Sequence, residues 1–174
     1  MPKYTGQVIF NHGQDSHPWG SKIVRLAEVA RQHGLLADSV DYQGMMDPQA
    51  RVAKLRQSVI SAPRPLILVG SSMGGYVAAA AAPVLQPQGI FLLAPALFMP
   101  DYPPLEPAPA AWQSTLVHGW HDDVIPVENS LRFARASGAQ LILLNDGHRL
   151  LGDLDLLAGL FDVFLSSILA AGGW

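Results

Sequence analysis

Four short runs, Val8-Ile9-Phe10, Leu66-Ile67-Leu68-Val69, Ile90-Phe91-Leu92-Leu93 and Leu141-Ile142-Leu143-Leu144, carry no polar residue at either alternate position. A strand of that kind has no face to offer water, so it belongs in a sheet covered by helices on both sides, as in parallel α/β domains. Longer segments of helical period separate these runs, which is the pattern of repeated βα units. The sequence predicts about six strands, at Gln7–Asn11, Leu36–Tyr42, Leu66–Gly70, Gly89–Ala94, Ser114–His118 and Gln140–Leu144. The second is more polar and is placed nearer an edge. Helices are predicted over Gly20–His33, Pro48–Ile60, Met73–Ala82, Val127–Ser137 and Leu150–Leu169. Gly34, Pro63 and Pro65, Pro83, and Gly138 supply the stops after the first four. In the fifth, Leu150, Leu154, Leu157, Phe161, Leu165 and Ile168 recur at steps of three and four, a stripe that faces the sheet. The expected architecture is a three-layer α/β/α domain on a mainly parallel sheet.

With 174 residues, 49% of them hydrophobic, one domain spanning 1–174 is the expectation, with enough apolar surface for a substantial core. Eleven Lys and Arg are scattered under a net charge of −3, which argues against a nucleic-acid partner. The absence of cysteine removes disulfides, thiolate metal sites and cysteine nucleophiles. The N-terminal MPKYTGQVIF runs directly into strand-like sequence without a secretory pattern, and the purest apolar stretches fall short of the roughly 18 residues a bilayer span needs. A cytoplasmic protein without a membrane partner is expected. One stretch breaks the βα alternation: Pro95–Pro109 holds six prolines in fifteen residues and is expected to be an ordered loop over one end of the sheet, with no helical subdomain.

The third strand turns into the third helix through Gly70-Ser71-Ser72-Met73-Gly74, a G-x-S-x-G in the strand–turn–helix setting where that motif exposes a nucleophilic serine. Gly70, Gly74 and Gly75 let strand and helix approach closely, and Ala78 to Ala82 extend the small-residue surface. A serine hydroxyl needs a base, and the base needs a carboxylate to fix its tautomer. Candidates follow in the order acid then histidine: His118-Gly119-Trp120-His121-Asp122-Asp123-Val124-Ile125-Pro126 after the fifth strand, and Asn145-Asp146-Gly147-His148-Arg149-Leu150 after the sixth. Both stand at carboxyl ends of strands, where open α/β sheets place their sites. The N–H of Met73, next after the serine, is one oxyanion donor. The His12-Gly13-Gln14 loop after the first strand supplies the other, assigned to the N–H of Gln14.

Together these residues resemble the α/β-hydrolase superfamily, more narrowly its small lidless bacterial serine hydrolases of esterase type. The resemblance covers nearly the whole chain. The family's HGxxDxxVP signature falls on His118, Gly119, Asp122, Ile125 and Pro126, with isoleucine in place of valine, and implies Asp122 as the acid. Its GHxL-like signature falls on Gly147, His148 and Leu150 and implies His148 as the base. The first antiparallel strands and the cap domain of larger members are missing. The implied activity is hydrolysis of small carboxylic esters through Ser72, His148 and Asp122 by way of an acyl-enzyme, on a small-molecule acyl substrate, with no cofactor.

Several residues compete for these roles. Ser71 is the alternative to Ser72 and is read as lining the turn. Asp123 rivals Asp122, since one residue of loop shift exchanges them, and Asp146 is read as a turn or cap residue. His12 and His118 are read as structural hydrogen-bonders at strand ends, His17 and His121 as rim residues, and His33 as solvated at a helix end. Trp19, Trp112 and Trp120 either line the cleft or fill core. No spare histidine–acid set suggests a metal. The same triad would serve a thioesterase, amidase or peptidase, or stand idle in a non-catalytic ligand-binding module. A phosphate-cradling loop fits poorly, because no lysine follows the glycines and GSSMGG lacks the G-x-G-x-x-G spacing.

Overall fold

The computed structural model describes residues 5–59, 63–105 and 113–173. Its strands are β1 (Gln7–Asn11), β2 (Leu36–Val40), β3 (Leu66–Ser71), β4 (Gly89–Leu93), β5 (Gln113–Gly119) and β6 (Gln140–Leu144). Helices α1 (Ser21–Gln32), α2 (Pro48–Ser58), α3 (Met73–Leu85), α4 (Val127–Ser137) and α5 (Leu154–Ala171) alternate with them. All neighbouring strands pair in parallel, in the order β2-β1-β3-β4-β5-β6.

The two-residue period of each strand divides the core. Val8, Phe10, Ile67, Val69, Phe91, Leu93 and Val117 face α1 and α5, where Phe161 is fully buried among Phe10, Phe91 and Phe164. The alternate residues Ile9, Leu66, Leu68, Ile90, Leu92 and Leu116 face the layer formed by α2, α3 and α4. Burial on both faces is why these strands read as unbroken apolar runs. The order of the chain reverses between β1 and β3, so the carboxyl ends of these two neighbours form the topological switch point where open α/β sheets place ligands.

Several boundaries differ from the sequence reading, each for a local reason. β2 stops at Val40 because Tyr42 leaves the ladder: its N–H donates to His12 Nε2 at 2.9 Å and its hydroxyl to Asn11 Oδ1 at 2.7 Å. Pro83 does not end α3, which runs on to Leu85 and stops where Gln86 turns left-handed at φ 52°, its N–H still bonded to Ala82 O. One missing N–H is tolerated in a helix whose alanine face is buried against the sheet. α5 begins at Leu154, because Asp153 caps it with a 2.8 Å bond from Leu156 N–H, while Leu150 stays buried in the preceding turn. By length and composition α5 could cross a membrane, yet Leu157, Ala158, Phe161, Phe164, Leu165 and Ile168 lie buried on the sheet. β6 is the second edge strand and only half-buried, so Leu141-Ile142-Leu143-Leu144 is not covered on both faces as its composition predicts. The proline-rich segment is a loop as far as Leu105, with Leu97 fully buried. Its remainder, 106–109, lies outside the described residues, as do Ile60 and Trp112.

Candidate active site

The corner between β3 and α3 is tight because its glycines leave no room for anything else. A Cβ on Gly74 would overlap the Asn11 carbonyl at the end of β1, one on Gly70 would strike the Gly74 carbonyl, and one on Gly75 would stand 2.5 Å from Pro95 Cβ. Ser72 sits at the apex with φ 54° and ψ −121°, a conformation that costs a non-glycine residue about 1–3 kcal/mol. Backbone bonds hold it there: Ser72 N–H donates to Leu93 O at 3.0 Å, and its carbonyl accepts from Gly75 and Ala96, each at 2.9 Å, and from Tyr76 at 3.4 Å. β4 and the start of the proline-rich loop thus clamp the strained residue from the other side.

The strain lifts the Ser72 hydroxyl to 3.1 Å from His148 Nε2. On the opposite edge of the ring, His148 Nδ1 lies 2.8 Å from Asp122 Oδ2. A carboxylate accepts and cannot donate, so Nδ1 carries the hydrogen and Nε2 presents its lone pair to the serine. Asp122 has a wholly buried side chain, whereas His148 keeps 18% of its side chain exposed. Burial opposes ionisation of Asp122. The N–H of Ile125, at 2.8 Å from Oδ1, the His148 ring and the N–H of Val124, at 2.9 Å, outweigh it and hold the carboxyl below its ordinary range. The group is therefore an anion aimed at an imidazole.

At the end of β1, Gly13 lies against the serine: a Cβ there would come 3.4 Å from Ser72 Cβ. Among the described residues, neither the Gln14 N–H nor the Met73 N–H meets an acceptor. Met73 is the first residue of α3, so its N–H is one of the unpaired donors at the positive end of that helix. A cleft of about 1070 Å³ opens over Ser72 and His148, walled by His17, Met99, Tyr102, Val124 and Leu151.

The other candidates separate clearly. Ser71 ends β3 and Asp123 borders the cleft, but the carboxylate that reaches His148 is Asp122. Asp146 shapes the histidine turn, accepting from Gly147 N–H at 2.7 Å and Gly152 N–H at 2.9 Å. His12 is buried, donating from Nδ1 to Gly13 O at 2.8 Å, and burial lowers its pKa. His17 stands at the rim of the cleft, while His121 instead meets Asn145 Oδ1 at 2.8 Å. His33 is not merely solvated: it caps α1 and its Nε2 lies 2.7 Å from Asp162 Oδ1. Trp120 is 56% exposed and neither fills core nor lines the cleft. Among the described residues, no group of three or more His, Cys, Asp or Glu side chains is arranged to hold a metal ion.

Residues 7–103 match the model of an uncharacterised protein family, UPF0227. Over 93% of its length the chain is also 32% identical to 99% of a solved Xanthomonas campestris pv. campestris protein assigned to the hydrolases of the alpha/beta superfamily, with a TM-score of 0.85. The chain belongs to this family and to the α/β-hydrolase superfamily. Two more distant structures share the fold. One is an α/β serine hydrolase without lid from Xanthomonas campestris, 20% identical, covering 96% of this chain and 85% of its own, with a TM-score of 0.69. The other is Est1E from Butyrivibrio proteoclasticus, 18% identical, covering 97% and 90%, with a TM-score of 0.82. The sequence matches none of the curated proteins.

Sequence reasoning falls short at two residues of this hydrolase. His118 is a structural hydrogen-bonder at a strand end, as read, but one of its partners is the Asp122 carboxylate, which that reading did not name: its Nε2 stands 3.0 Å from Asp122 Oδ2 and 3.1 Å from Ile125 O. Both are acceptors, so Nε2 carries the hydrogen and Nδ1 accepts from the Ser130 hydroxyl at 2.7 Å. The signal was its i, i+4 spacing from Asp122 in one turn. The second is Arg51, which is completely buried. It occupies an apolar stripe with Val52, Leu55 and Val59, and an arginine at such a position was the available sign.

Proposed function

We propose that this hydrolase cleaves small carboxylic esters with Ser72 as nucleophile, His148 as base and Asp122 as the acid that orients His148. The observation that carries the reading is the unbroken chain from Ser72 Oγ to His148 Nε2 at 3.1 Å and from His148 Nδ1 to Asp122 Oδ2 at 2.8 Å, with Ser72 on a strained turn. Ser72 Oγ attacks the carbonyl carbon while its proton passes to His148 Nε2, and the positive charge formed on the ring is stabilised by the buried Asp122 carboxylate. The N–H groups of Met73 and Gln14 receive the oxyanion, each such donor being worth about 10²–10³ in rate. Collapse of the tetrahedral intermediate expels the alcohol, which takes the proton from His148. Water, deprotonated by the same nitrogen, then attacks the acyl-Ser72 carbonyl, and release of the acid restores the serine.

An open cleft, with no helical cap over it among the described residues, supports small or accessible acyl groups. Thioesters and amides would meet the same attacking machinery, and a panel of oxygen esters, thioesters and anilides with a common acyl group separates the three. The direct test is Ser72→Ala with short p-nitrophenyl esters and a fluorophosphonate probe. Hydrolysis and covalent labelling should both disappear, and labelling that persists in the variant would remove Ser72 from the mechanism.

A further inference from the structure

We propose that Arg51 is the positioning residue of the oxyanion hole, aiming the Gln14 N–H at the Ser72 reaction centre. The inference rests on the serine-hydrolase reading for its catalytic consequence and on Arg51's own contacts for its geometry. Arg51 projects from the second turn of α2 into the interior with no exposed surface, and among the described residues no carboxylate lies within 4 Å of its guanidinium. A buried cation without an anionic partner is costly unless its hydrogen bonds are fully used. Here they are spent on backbone carbonyls: Nε donates to Met45 O at 2.7 Å, Nη1 to His12 O at 3.1 Å and Gly13 O at 3.3 Å, and Nη2 to Gln14 O at 3.4 Å. The Tyr42 ring lies 5.1 Å from the guanidinium carbon.

Three of those four carbonyls belong to three consecutive peptide units of the loop against Ser72. A peptide unit is planar and trans, so its N–H points opposite to its C=O. The Gly13 carbonyl and the Gln14 N–H are the two ends of one such unit. Gripping Gly13 O on the interior side therefore turns the Gln14 N–H outward, towards the cleft. His12 Nδ1 at 2.8 Å and the Ser16 hydroxyl at 3.3 Å share that carbonyl, but only the guanidinium fork also spans the units before and after it. The positive charge further polarises each peptide it touches, strengthening the N–H at the far end. Lysine cannot replace it, since one ammonium cannot reach Met45 O and Gln14 O together.

The experiment compares wild type with R51K and R51M by three measurements: p-nitrophenyl acetate kinetics, the second-order rate of fluorophosphonate labelling at Ser72, and the backbone amide resonance of Gln14 with its ¹H–¹⁵N NOE. In variants that melt cooperatively, kcat and the labelling rate should fall about 10²-fold for R51M and less for R51K, with KM within about 3-fold, as loss of one oxyanion donor implies. The Gln14 amide should shift and its NOE drop. R51K keeps the charge and supplies a folded comparison should R51M not fold. Wild-type labelling in a folded R51M, or slow labelling with an unmoved Gln14 amide, overturns the proposal. If wild-type Ser72 itself is inert, the serine-hydrolase reading fails separately, and the Gln14 amide still decides whether Arg51 sets that peptide.

Discussion

Replacing Asp122 by asparagine changes one atom and should disable the site through proton placement. Oδ1 accepts from the N–H groups of Val124 and Ile125, so the amide of an Asp122→Asn variant must put its oxygen there and its NH₂ at the Oδ2 position. That NH₂ would face His148 Nδ1, 2.8 Å away, and His118 Nε2, 3.0 Å away. It can only donate, so both nitrogens would have to become acceptors. For His118 the exchange lets Nδ1 donate to the Ser130 hydroxyl but gives up the bond from Nε2 to Ile125 O at 3.1 Å, so it carries a stability cost of its own. For His148 it moves the hydrogen to Nε2, where it points at Ser72 Oγ and leaves no base. A loss of about 10⁴ in kcat is expected, about 5.5 kcal/mol of transition-state stabilisation, with the cleft and KM little altered. The assay is p-nitrophenyl ester hydrolysis with active-site titration, run beside Asp123→Asn, which should stay near wild type. An Asp122→Asn enzyme within tenfold of wild type, or a larger loss at position 123, would refute the tautomer argument.

Two further outcomes follow from the packing and charge around the cleft. Gly74→Ala puts a methyl into the Asn11 carbonyl and must push α3 away from β1; we expect a loss of about 1–3 kcal/mol in stability by urea melts and a drop of at least tenfold in fluorophosphonate labelling of the folded enzyme. Lys22, which donates to Arg149 O at 2.9 Å, has its pKa pulled by burial from 10.5 down to about 8. Between those values the unfolded chain holds a proton that the folded one has released, so this group makes stability rise with pH there. Urea midpoints at pH 7, 8.5 and 10 should show that rise to be smaller in Lys22→Met than in wild type, and parallel curves would exclude the effect.

How far the sequence carries can be judged residue by residue. The bounds of β1, β6 and α4 follow directly from apolar period and glycine stops, because those signals are local. The corner at Ser72 is equally legible, since only glycine fits where a backbone carbonyl fills the space of a side chain. Which strands lie at the edges is a different kind of fact. Leu141-Ile142-Leu143-Leu144 is as apolar as any central run, and only the order of strands in space leaves it half-exposed. Arg51 was hidden for the same reason. An arginine in a helix ordinarily lies in solvent, and its burial depends on a loop 37 residues or more earlier in the chain folding back over it. The contact of His118 with Asp122 needs the backbone turn at Asp122 to bring i and i+4 together outside a helix.

The sheet grows along one direction from β3 to β6, each new strand added outside the last. The Ser72 corner thus adjoins the His12–Gln14 loop where β1 and β3 pair, Asp122 follows β5, and His148 follows the outermost strand. A chain folded as far as β5 has the strained serine and the buried carboxylate without the group that couples them. On the proposed mechanism, reactivity towards a serine probe therefore reports whether the edge strand is in place: during refolding it should not precede protection of the β5–β6 ladder from exchange.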